Sequence, residues 1–98
     1  MATHVCYFEW HVHPLRTDRW FEEWKPAAER AMAFGAKDWS LTRDHEDPLH
    51  FRQATFWEKK SDFEDYWFSD EVSEARERVL SYYNKPLLPV WHELVASD

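Results

Sequence analysis

Apolar and polar residues alternate along HVCYFEWHVH (residues 4–13), which is rich in rings and β-branched side chains and contains no Gly or Pro. That period of two predicts a strand. One face would carry His4, Cys6, Phe8, Trp10 and Val12, and the other Val5, Tyr7, Glu9, His11 and His13. Pro14 ends the run. Beyond it the period lengthens: Trp20, Trp24, Ala27, Ala28, Ala31 and Phe34 recur at helical spacing and form one apolar stripe. Thr17 is placed to cap this helix, with Asp18 suited to its positive end. Pro26 inside the pattern predicts a kink or restart, and Gly35, the chain's single glycine, stands at the C-terminal cap.

KDWSLTR (37–43) and HFRQATFW (50–57) read as strands joined across the polar turn DHEDP (44–48), which makes a hairpin. Ser61 with Glu64 forms a capping box for a short helix through Phe63 and Trp67. Ser69 caps the next helix, whose stripe is Val72, Ala75, Val79 and Tyr83, and Asn84-Lys85-Pro86 stops it. LLPVWHELV (87–95) is a last strand, where Pro89 favours a sheet edge or bulge. The order β-α-β-β-α-β predicts an α+β, ferredoxin-like antiparallel sheet with helices on one face only. The other face has no layer of its own, so a second copy is expected to cover it.

Composition narrows the partners. Ninety-eight residues make one domain, residues 1–98. Seven tryptophans supply a large core or a ring-lined cavity, since each ring buries roughly 150–250 Å². A net charge of −7 without a basic cluster argues against nucleic acid or an anionic membrane as partner. No apolar run approaches the roughly 18 residues of a membrane span, and MATHVCYFEW lacks the form of a signal peptide. With Cys6 alone, neither an internal disulfide nor a multi-cysteine metal site can form, and a reducing cytoplasm fits.

The stretch FWEKKSDFEDYWFSDE (56–71) puts six rings in sixteen positions, with Trp57-Glu58 at the strand end and Tyr66-Trp67-Phe68-Ser69-Asp70-Glu71 following. Together with the element order, it resembles the antibiotic biosynthesis monooxygenase superfamily of dimeric α/β barrels. The resemblance implies a homodimeric barrel and a cofactor-independent monooxygenase that uses O₂ on a phenolic or polycyclic aromatic metabolite. Gln53 stands where the quinone-forming members carry an asparagine, four residues before Trp57, and an amide there would hold a substrate oxygen. Phe63 stands in the place of their tyrosine, with Tyr66 close by. Their pocket arginine corresponds to Arg76 or Arg78, and Arg76 would favour a phenolate. The haem-degrading members match less well. Their iron-ligating histidine would fall in Glu74–Arg78, which has none, and their asparagine near Phe8, so no haem or other cofactor is expected.

Phe8, Trp10, Trp57, Phe63, Tyr66 and Trp67 are thus the candidate walls of an aromatic pocket, each with the alternative of plain core. Trp20, Phe21 and Trp24 read more simply as core. His92 is a candidate base beside Glu93, and His50 beside Arg52, because imidazole titrates near neutral pH. Glu9, His11 and His13 share a face, with His50 and His92 on strands expected to neighbour it, and three such side chains would take zinc or iron if a partner strand added a fourth. Strand alternation produces such same-face sets freely, so a polar, metal-free patch is the expectation. Two other readings use the same pocket: an aromatic polyketide cyclase or isomerase, which needs no oxygen, and a dimer that binds a small hydrophobic ligand without turning it over.

Overall fold

A computed structural model describes residues 2–97. Strand β1 (His4–His11) is followed by helix α1 (Thr17–Glu29), the hairpin β2 (Asp38–Arg43) and β3 (His50–Trp57), helices α2 (Lys60–Trp67) and α3 (Asp70–Val79), and β4 (Val90–Glu93). The strands lie in the order β2-β3-β1-β4, all neighbours antiparallel, which is the ferredoxin-like arrangement. No helix is long and apolar enough to cross a membrane among the described residues.

Strand alternation decides which side chains meet the helices. Cys6, Phe8 and Trp10 of β1 pair in register with Thr55, Gln53 and Phe51 of β3, and all six are buried beneath α1, α2 and α3. Val5, Tyr7, Glu9 and His11 point the other way, opposite Phe56, Ala54, Arg52 and His50. None of those eight is buried, and the helices lie on the opposite face of the sheet. The helical stripe behaves as its spacing predicts: Trp20, Trp24, Ala27, Ala28 and Ala31 are buried and Phe34 packs against them.

Several local expectations change. Helix α1 runs through Pro26 and tightens into a 3-10 turn four residues later, over Arg30–Phe34. Thr17 is the first helical residue, preceded by Arg16 at the cap position with no side-chain cap bond. Helix α2 starts at Lys60 with Lys59 before it, so Ser61 lies inside the first turn and forms no capping box. Ser69 does cap α3, its Oγ accepting the Val72 N–H at 3.3 Å. Gly35 adopts φ +106°, where a Cβ would sit 3.1 Å from the Asp62 carboxylate. The last strand is shorter than its apolar run. It spans only Val90–Glu93 at the sheet edge, since Pro89 has no N–H to donate to β1.

Candidate functional site

Four of the six rings of FWEKKSDFEDYWFSDE, Trp57, Phe63, Tyr66 and Trp67, lie in the wall between sheet and helices, while Phe56 faces outward and Phe68 is exposed. Phe63 stacks on Trp67 at 5.7 Å between centroids, with an interplanar angle of 17°. Phe8 lies 4.8 Å from Trp67, Trp10 4.7 Å from Trp24, and Trp57 6.0 Å from Tyr66. Phe8, Trp10, Trp57, Phe63, Tyr66 and Trp67 are all buried. They pack mainly on one another, and each such pair adds about 0.5–1.5 kcal/mol beyond area burial.

Two hydrogen bonds pin this wall. Trp24 Nε1 donates to Gln53 Oε1 at 2.6 Å, and Tyr66 Oη donates to the Ala27 carbonyl at 2.7 Å. Gln53 is fully buried, and its Nε2 finds no acceptor among the described residues. Burial pushes the Tyr66 phenol up, against a smaller opposing effect of the Gln53 amide, so it stays protonated. Gln53 therefore sits behind Trp24, sealed from solvent, with its oxygen already engaged.

The wall opens at the C-terminal half of α3. A cleft of about 340 Å³ is lined by Trp67, Ser73, Arg76, Glu77, Tyr83 and Leu87, with Leu80 at its rim. That volume is at the lower end of small-molecule sites. The Arg76 guanidinium lies 4.4 Å from the Trp67 ring and donates through Nη2 to the Trp67 carbonyl at 2.7 Å and Ser73 Oγ at 3.1 Å. No carboxylate pairs with it among the described residues, and its Nε is buried without an acceptor. Desolvation lowers the Arg76 pKa, though an arginine remains charged at any ordinary pH. A half-buried cation on an aromatic face can hold an anion, although the Glu77 carboxylate lines the same cleft. Arg78, the alternative, is exposed.

His92 is elsewhere. It lies opposite Val5 on the outer sheet face, where its Nε2 is 3.0 Å from Tyr7 Oη. The sheet thus separates it from Gln53 and Arg76, and the three do not share one chamber. Edge strand β4 is too short, and LLPVWHELV too uniformly apolar, for sequence to fix which residues face inward. Sequence reasoning also missed Ser73, Tyr83 and Leu87. The signal available for Ser73 was its i,i+3 spacing from Arg76 on a helix.

On the outer face, His11 and His50 are cross-strand partners with rings stacked 4.5 Å apart at 8°. Glu9 accepts from Arg52 Nη2 at 2.9 Å, and this bond is the main cause holding its carboxyl below the usual range. Cys6 is buried, and desolvation pushes its thiol up from 9.0 to about 12, so it is inert at neutral pH.

Comparison with solved structures places this architecture in a known fold. A protein of Nitrosomonas europaea assigned as an antibiotic biosynthesis monooxygenase superposes with a TM-score of 0.87 at 15% identity, covering 96% of this chain and 91% of that one. One of Bordetella bronchiseptica with the same assignment gives 0.82 at 19% identity, covering 98% and 100%. A conserved protein of Methanosarcina mazei gives 0.83 at 15%, covering 94% and 92%. The chain has the fold of the antibiotic biosynthesis monooxygenase proteins, as its sequence pattern predicts. No family model and no curated protein matches the sequence.

Proposed function

We propose that the protein is a cofactor-independent monooxygenase that binds a phenolic or polycyclic aromatic metabolite in the Arg76 cleft. The observation that carries this reading is the half-buried Arg76 cation, stacked on Trp67 and with no carboxylate in ion-pair contact among the described residues. A phenolate seated there would face the guanidinium, with Trp67 and Tyr83 against its rings. An electron-rich phenolate can pass one electron to O₂ and combine with the superoxide formed, giving a hydroperoxide at the ring carbon. Loss of water then leaves a quinone carbonyl. One oxygen atom stays on carbon, the other leaves with the two hydrogens that carbon gives up, and substrate supplies all the electrons. The protein's part is to stabilise the anion and keep water away.

Gln53, on this reading, acts as a positioning residue. It fixes Trp24, which stands 6.3 Å from Trp67, and so stiffens the wall behind the cleft. His92 would belong to the interface of a homodimer, together with the uncovered apolar positions Val5, Tyr7, Ala54 and Phe56. The engagement of the Gln53 oxygen favours a second reading, a dimer that holds an aromatic anion without oxidising it.

An oxygen electrode separates these. With a dihydroxyanthrone as probe, the monooxygenase reading expects one O₂ consumed per quinone formed, without added metal or reductant, and an at least tenfold lower rate for Arg76→Met. Quinone formation no faster than in buffer, with the probe bound, would replace the monooxygenase with the binder. Turnover of a cyclisable polyketide probe under argon would favour the cyclase.

A further inference from the structure

A second constellation lies on the outer sheet face, across the sheet from the cleft. We propose that Glu9, His11 and His50, with Asp44 orienting His50, form a binding site for a divalent transition-metal ion of the zinc type. Donor atoms from Glu9, His11 and His50 all lie within 4.8 Å of one another. The strands put them there: His11 and His50 are direct cross-strand partners, and Glu9 precedes His11 by one full pleat on the same face.

The supporting contacts have the form that metal-ligating histidines need. His50 Nδ1 lies 3.5 Å from Asp44 Oδ2. Asp44 is itself fixed, because its Oδ1 accepts the backbone N–H groups of Glu46 at 2.8 Å and Asp47 at 3.0 Å. A carboxylate behind one ring nitrogen sets the tautomer and leaves the other nitrogen free to ligate. That other nitrogen, His50 Nε2, faces Glu9 Oε1 at 3.2 Å, so the two prospective ligand atoms already point at one another. Glu9 and His50 line a recess of about 250 Å³ through which an ion could enter.

Two imidazoles and one carboxylate suit zinc and its neighbours, with a fourth position left for water. Tetrahedral zinc with bonds of about 2.0–2.1 Å needs ligand atoms about 3.3 Å apart. The stacked rings of His11 and His50 must therefore tilt, and one of them must turn its nitrogen toward Glu9. Arg52 opposes the ion by holding Glu9 at 2.9 Å, and Lys85 opposes it by its charge near His11. Arg52 already lies over the Tyr7 ring, 4.7 Å away, a contact it can keep once Glu9 turns to a metal. The set is a subset of the sequence-based group. His13 lies past the end of β1 and His92 lies opposite Val5, whereas His50 is the direct partner of His11.

The test is a titration of the untagged full chain, stripped by chelator, with Zn(II) alone, followed by competition with a chromophoric chelator. One ion per chain is expected. Affinity should fall at least tenfold in His11→Ala and in His50→Ala, and by about 10–100-fold in Asp44→Asn. Arg52→Ala should bind severalfold more tightly, a gain that misfolding cannot imitate. Replacing His45, which belongs to no part of the set, should leave affinity unchanged. Absence of binding at millimolar Zn(II), binding indifferent to His50→Ala, or weaker binding by Arg52→Ala would each overturn the assignment.

Discussion

Replacing Trp24 by Phe and Gln53 by Leu, singly and together, probes a side-chain hydrogen bond sealed in the aromatic core. The bond is short, 2.6 Å, and both residues are fully buried. Trp24→Phe leaves Gln53 Oε1 without its donor, which costs about 1–3 kcal/mol, and gives up part of the indole burial, about 1 kcal/mol more. Gln53→Leu orphans the indole N–H but also removes Nε2, which has no acceptor. Its net cost is therefore smaller, about 1 kcal/mol. The double variant leaves neither orphan. It should lose about 2 kcal/mol, against a sum of about 4 for the singles, a coupling of about 2 kcal/mol. Urea unfolding followed by far-ultraviolet circular dichroism reads each value, and thermal melts should move by about 4–8 °C per kcal/mol. Additivity within about 0.5 kcal/mol would refute the claim that this bond holds the wall behind Trp67.

Other outcomes follow from particular residues. Leu15 is 95% exposed at φ +66°, so Leu15→Asn should raise stability by up to about 1 kcal/mol, and a lower melting temperature would contradict this. Burial raises the Cys6 pKa from 9.0 to about 12, so the folded protein keeps a proton that the unfolded chain loses first. This contribution is whole below pH 9 and is lost as pH rises toward 12, at up to about 1.4 kcal/mol per pH unit. Cys6→Ala should flatten the fall of stability across that window, Tyr66 leaving a residual slope; an unchanged slope in urea midpoints would count against it.

How much of this was legible in the sequence varied with the kind of signal. β3 was readable to its ends and the α1 stripe in full, because burial on one face imposes a period that side chains must obey. The Ser69 cap was readable because a hydroxyl there meets a free N–H two or three residues on. The same logic failed at Thr17 and Ser61, which packing placed inside the first helical turn. The candidate site was partly legible. Arg76 and its ring neighbours emerged from a resemblance, whereas the engagement of Gln53 with Trp24 depends on a helix–sheet contact that no local pattern encodes. Likewise His50 was readable as a neighbouring-strand candidate, but its place directly opposite His11 follows from the register of β1 with β3, and Asp44 read simply as a turn residue.

The central claim is that Arg76 makes the cleft select an aromatic anion. Its most direct test is the titration of bound para-nitrophenol, whose phenolate is seen by its own absorption. Arg76 should lower the probe's pKa in the complex by about one pH unit relative to free solution, and Arg76→Met should abolish or reverse that change. A bound pKa that is raised, or that does not respond to Arg76→Met, would contradict the account.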